Sequence, residues 1–145
     1  MKAPAYFDSA ATTQKPEQVI RRLSDFYSKE YATVHRGVYE ASQIATDRYE
    51  ESRRAIAVFL DADPDEIVFT RGATESINLV ASAFGYKNCS NGDNIVITEI
   101  EHHSNIVPWQ MIREQTGAEL RVIPVDDRGD VMMEVAERLI DKQTK

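Results

Sequence analysis

The sequence predicts an α/β fold, with helices plus a partial, mainly parallel sheet. Two observations carry that expectation. From Ile67 onward, short β-branched runs (Ile67–Thr70, Ile95–Thr98 and Leu120–Ile123) alternate with helix-length stretches whose apolar residues recur every three to four positions. Before that point, two stretches, one starting at Pro16 and one from about Thr46 to Leu60, show helical spacing. Strand–helix alternation of this kind is how parallel strands joined by right-handed crossovers are encoded.

The elements follow in order. Ala5 to Gln14 has few helix signals and reads as extended or loop. Pro16 suits a helix start, where its missing N–H costs nothing, and Val19, Ile20, Leu23, Phe26 and Tyr27 then form one apolar face. A loop from about Ala32 to Glu40 contains Val34-His35-Arg36-Gly37. A second helix is expected from about Thr46 to Leu60, with Tyr49, Ile56, Phe59 and Leu60 inward, ended by Asp61-Ala62-Asp63-Pro64. Ile67–Thr70 reads as a buried strand, Arg71–Thr74 as a turn, and Ile77, Val80 and Phe84 as one helical face. Asn91-Gly92-Asp93 is a turn signal before the strand Ile95–Thr98. Ile106 to Gln115 reads as helix, Leu120–Ile123 as a third strand, and Val131 to Ile140 as a last helix. Residues 1–60 would form an N-terminal arm with helices. Residues 61–145 would form the first part of a larger α/β domain, because three parallel strands leave an apolar edge that normally needs more strands and cover.

Composition bounds the function. The chain has 145 residues, 42% hydrophobic and 28% charged, which is the balance of a soluble globular protein. No apolar run approaches the roughly 20 residues a membrane helix needs. Met1-Lys2-Ala3-Pro4 carries no signal core, so a cytoplasmic location is expected. A net charge of -7 disfavours nonspecific nucleic-acid binding. The single cysteine, Cys89, excludes a disulfide within the chain and fits a reducing compartment. Glycine-rich nucleotide loops, a GxSxG elbow and the HExxH and CxxC metal spacings are absent, so no metal site is expected.

Ligands of open parallel sheets bind outside the carboxyl ends of the strands. Arg71-Gly72-Ala73-Thr74 and Glu99-Ile100-Glu101-His102-His103 would therefore meet at one rim. Gly72 permits close backbone approach, and the helix start at Ala73, with the Thr74 hydroxyl, offers N–H groups to a phosphate. An ordinary strand-to-helix turn capped by Thr74 fits the same residues. A histidine of the second loop could stack on a planar heterocycle or move protons near neutral pH, or be satisfied locally. His35-Arg36 could clamp a carboxylate or stand solvated. Cys89 reads as an inert thiol, and Trp109 as core.

Five segments in order carry a family resemblance: Tyr6-Phe7-Asp8-Ser9-Ala10-Ala11-Thr12, Val34-His35-Arg36-Gly37, Phe69-Thr70-Arg71-Gly72-Ala73-Thr74-Glu75, Gly92-Asp93-Asn94-Ile95, and Glu101-His102-His103-Ser104-Asn105-Ile106-Val107-Pro108-Trp109. Together they resemble the group II cysteine desulfurases and selenocysteine lyases, within the class V aminotransferases of the fold-type I pyridoxal-phosphate enzymes. The resemblance covers the N-terminal portion of that family. It implies pyridoxal 5'-phosphate as cofactor, with its phosphate held by Thr74 and the backbone around Gly72 and Ala73. His102 would be the catalytic residue stacking on the ring. His35 and Arg36 would lie on the substrate side, across a homodimer interface, with Ala10 and Ala11 lining it through their backbone. The implied reaction converts L-cysteine to L-alanine and leaves persulfide sulfur on the enzyme, for iron–sulfur cluster assembly or another sulfur-acceptor protein. Selenocysteine lyase, another class V enzyme, or a truncated non-catalytic paralogue acting as an interaction module are the alternatives. Ala73 stands where the family often has a second threonine. The family's cofactor-bearing lysine, its ring-facing aspartate and its nucleophilic cysteine match no residue here, so this chain alone is expected to be inactive.

Overall fold

The computed structural model describes residues 5–145; the Met1–Pro4 stretch read above for a signal core lies outside them. The chain divides into two compact units between Val68 and Phe69.

In the first unit, Ala10 and Ala11 sit in a turn closed by the Asp8 carbonyl, which accepts from the Ala11 and Thr12 amides at 3.2 and 3.1 Å. Helix α1 spans Glu17–Asp25 and widens into a π turn, Phe26–Glu30. Helix α2 spans Glu40–Leu60 and stops where Asp61 turns left-handed, at φ 53°. It starts six residues before the expected Thr46, and the reason is tertiary. Its first two turns grip the preceding loop: Ser42 Oγ donates to the Thr33 carbonyl at 2.5 Å and accepts from the Gly37 amide at 3.1 Å, and Thr46 Oγ1 accepts from the His35 amide at 3.0 Å. Gly37 is required there, since a Cβ would come within 2.5 Å of Ser42.

Two expectations are corrected. The apolar helix faces are not inward: Ser42, Ala45 and Ala57 are the buried residues of α2, whereas Phe59 is 87% exposed and Tyr49, Ile56 and Leu60 are also exposed, as are Val19, Ile20, Leu23 and Tyr27 on the first helix. Ile67–Thr70 is not a buried strand either. Val68 and Phe69 are exposed, and no ladder partner faces the run among the described residues. A strand exists only by virtue of its pairing, and the polar groups here are taken otherwise. Arg53 Nη1 donates to the Ile67 carbonyl, and Thr70 Oγ1 pairs with Ser76 Oγ at 2.7 Å.

The second unit contains the parallel pair. Strand β1 (Asn94–Thr98) pairs with β2 (Glu119–Ile123), Asn94 opposite Glu119 and Thr98 opposite Ile123, so among the described residues the sheet has two strands rather than three. Helix α3 (Ala73–Val80) continues through a π turn at Ala81–Gly85 into the short α4 (Tyr86–Asn88). Helix α5 (Val107–Thr116) crosses from β1 to β2, ending at Gly117 with φ 76°, and α6 (Met133–Leu139) follows β2. The core comprises Ala81, Cys89, Ile95, Ile97, Ile112 and Ala118, with Ile106, Trp109 and Leu120 packed on it. Among the described residues no helix is long and apolar enough to cross a membrane.

Residues 140–145 fold back along β1. The Asn94 amide donates to the Gln143 carbonyl at 3.1 Å, and the Lys145 amide to the Asn94 carbonyl at 3.1 Å. Asp141 locks this return. Its carboxylate accepts from Arg121 Nη1 at 2.7 Å, from the buried Asn94 Nδ2 at 2.8 Å and from the Gln143 amide at 2.9 Å, and these donors pull its pKa from 3.8 to about 2, Arg121 foremost. A carboxyl lowered on folding contributes stability above its unfolded pKa and loses it as the pH falls through the folded one. Stability should therefore decline from about pH 3.8 toward pH 2 through this group. Asp141→Asn should flatten that segment of the acid-unfolding curve followed by circular dichroism.

Cys89 is buried, and its thiol is pushed up first by burial and then by the nearby Asp93 carboxylate. A desolvated thiol beside a negative charge is a poor nucleophile. Alkylation of Cys89 in the native chain is expected only as fast as the second unit opens, which a comparison of iodoacetamide labelling with and without urea would read.

Candidate ligand cleft at the carboxyl end of the parallel pair

Within the second unit, Arg71–Thr74 and the loop after β1 border one cleft of about 840 Å³, lined by Arg71, Gly72, Ala73, Thr74, Glu101 and His102, with Ser104 and Asn105 beside them. That volume suits a cofactor-sized ligand. The sequence expectation that these two loops meet is what the geometry shows. The route differs, since the first loop does not follow a strand of the sheet.

One wall is the start of α3. Gly72 precedes it in an extended conformation, and the Ser76 amide is the first to fold back, onto the Gly72 carbonyl at 3.1 Å. The amides of Gly72, Ala73 and Thr74 and the Thr74 hydroxyl make no hydrogen bond among the described residues. A Cβ built on Gly72 would meet nothing within 4 Å, so the space before these donors is open. The adjacent cation is not free: Arg71 gives its backbone amide and Nε to Glu75 Oε2 at 2.6 and 3.1 Å, and Nη2 to Oε1 at 3.2 Å. Those donors, the Arg71 side chain first, lower the Glu75 pKa. The wall therefore presents dipolar N–H donors rather than a net charge.

The opposite wall is the turn after β1. Thr98 Oγ1 donates to Glu101 Oε1 at 2.8 Å, Asn105 Nδ2 to Glu101 Oε2 at 2.9 Å, and Trp109 Nε1 to Asn105 Oδ1 at 2.9 Å. This chain of bonds runs from the end of β1 to the first turn of α5 and carries His102 at its middle. Asn105 and then Thr98 lower the Glu101 pKa, so the carboxylate holds its donors as an anion. Glu101 was expected at this rim, though not as the anchor of the chain of bonds, whereas Ser104, Glu75 and Asn78 were not foreseen as cleft residues. The signal for that anchor was present in the spacing Glu101, Asn105, Trp109, each four residues on, which stacks the three along one side of a helical path.

The remaining residues expected at the substrate side belong to the first unit. His35 is left-handed, at φ 66°, with Nε2 at 3.1 Å from Glu50 Oε1 and its ring edge-on to Tyr49. A non-glycine residue in that region carries strain of about 1 kcal/mol, held here by the Thr46 and Glu50 bonds. Arg36 is exposed and forms no ion pair among the described residues. Ala10 and Ala11 are exposed in their turn.

These features define an α/β protein with a donor-lined cleft at the carboxyl end of parallel strands. Residues 5–145 match the aminotransferase class-V family, and the chain belongs to it. It is 53% identical over 141 residues to a probable cysteine desulfurase of Mycolicibacterium paratuberculosis, covering 97% of this chain and 21% of that protein. It is 51% identical over 142 residues to a cysteine desulfurase of Enterobacter sp., covering 97% and 35%. The apo structure of a cysteine desulfurase from Thermococcus onnurineus superposes with a TM-score of 0.86 at 44% identity, over 92% of this chain and 33% of that one. The chain thus spans about a fifth to a third of the relatives it matches.

Proposed function

We propose that this chain forms the phosphate cup and ring-stacking wall of a pyridoxal-phosphate-dependent cysteine desulfurase. The observation that carries the reading is the meeting of unpartnered α3 amides with His102 in one cleft. Two lines support it: the donor chemistry suits a phosphate monoester beside a flat heterocycle, and the relatives of highest identity given above are desulfurases by name.

Gly72, Ala73 and Thr74 would hold the phosphate through backbone N–H groups and the Thr74 hydroxyl, and His102 would lie against the ring. When bound, the cofactor would supply an electron sink for negative charge developing at the substrate α-carbon. Glu101 and Asn105 keep the His102 wall in place. Ala10, Ala11, His35 and Arg36 are assigned to the substrate side, the last as a guanidinium for the carboxylate of L-cysteine. A homodimer and a protein that accepts the sulfur belong to the same proposal.

Titrating pyridoxal phosphate into the chain and following Trp109 fluorescence tests the cup. Saturable quenching that inorganic phosphate competes away is expected. No saturable binding would overturn the reading. Given cofactor and cysteine, the chain by itself is expected to release no alanine.

A further inference from the structure

One nitrogen of His102 is already committed. The backbone N–H of Ser104 donates to His102 Nδ1 at 3.2 Å, and the Ser104 hydroxyl lies 2.9 Å from the same atom. His102 thereby caps the short 3₁₀ turn His103–Asn105, with φ -66° and ψ 145°. A main-chain amide can only donate. Nδ1 must meet it with a lone pair, so the single proton of the neutral ring sits on Nε2. Nε2 has no hydrogen-bond partner among the described residues. The Thr98–Glu101–Asn105–Trp109 chain grips the backbone on both sides of this cap, which keeps the Ser104 donor in register with the ring.

We propose that Ser104 is a positioning residue that holds the His102 imidazole in its Nε2–H tautomer, so that a ligand in the cleft meets a stacking face and a hydrogen-bond donor instead of a base. Accepting a proton at Nε2 would require the other tautomer, whose Nδ1–H would confront the Ser104 N–H and leave the turn uncapped. The consequence for the ligand rests on the proposed cofactor reading, while the tautomer does not.

The test is a long-range proton–nitrogen correlation spectrum of the full chain labelled with nitrogen-15 histidine, without cofactor, at a pH where the rings are neutral. His102→Asn assigns the signals and keeps a capping acceptor. A pyridine-like Nδ1 and a pyrrole-like Nε2 are expected for His102, retained in Ser104→Ala, which keeps the amide. In Ser104→Pro, which lacks it, both resonances should shift toward the tautomer average. An Nδ1–H or averaged pattern in the unsubstituted chain overturns the proposal, whether or not the proline variant folds. An unshifted spectrum in a folded Ser104→Pro chain overturns the role given to Ser104. Failure of the cofactor titration with the Nε2–H pattern intact would instead count against the function alone.

Discussion

Ile112→Ala is expected to destabilise the second unit by about 3 kcal/mol, within the range for truncating a buried aliphatic side chain. Ile112 is 1% exposed and sits among Ala81, Cys89, Ile95, Ile97 and Ala118, so little surrounds it that could move into the void. In urea unfolding that loss corresponds to a midpoint lower by roughly 1.5 M for a small unit. Ile112→Val should cost only about 1 kcal/mol. The site is also full from the other side. A Cβ on Gly85 would stand 2.9 Å from Ile112 Cγ1 and 3.0 Å from Cδ1. Gly85→Ala should therefore cost about 2 kcal/mol by overpacking. Combined with Ile112→Val, which removes Cδ1, it should cost less than the two single changes added together. Strict additivity would mean that the π turn and α5 do not meet as described.

The second large effect concerns the cleft. His102→Ala removes the proposed stacking face and should weaken pyridoxal phosphate binding roughly 10- to 100-fold, equivalent to about 1–3 kcal/mol. Thr74→Val removes a hydroxyl that makes no hydrogen bond among the described residues. It should leave stability within about 0.5 kcal/mol yet lower affinity roughly tenfold, the worth of one hydrogen bond to a charged acceptor. Inorganic phosphate competition separates the two. Its affinity should fall with Thr74→Val and stay unchanged with His102→Ala, since a bare anion has no ring to stack. Equal losses in both variants would indicate a collapsed cleft rather than two separate contacts.

Much of this architecture was legible locally. Ile95–Thr98 and Leu120–Ile123 announce β1 and β2 within one residue, and the helices that follow them are marked by three-to-four spacing, because a side chain's periodicity is set by the φ and ψ of its own segment. The meeting of Gly72–Thr74 with His102 was expected too, although the loop at Gly72 reaches the cleft without the parallel strand that the expectation rested on. Where the reading failed, the deciding partner was distant in sequence. Ile67–Thr70 has the composition of a strand, but its backbone acceptor at Ile67 goes to Arg53, and among the described residues it joins no sheet. The apolar side chains of α2 have the spacing of a core face, but small residues fill the close contacts and Phe59 stays outside.

The sequence by itself therefore determined the helices, the two strands that pair, their order, the family and the two loops that line the cleft, which follow from short-range geometry and motif order. Tertiary structure alone decided which strands pair, how Ser42 and Thr46 extend α2 back to Glu40, and that the Ile67 carbonyl goes to Arg53 instead of to a strand. Each of these depends on which donor reaches which acceptor first in three dimensions, and a buried or capped polar group takes the partner that the fold brings to it.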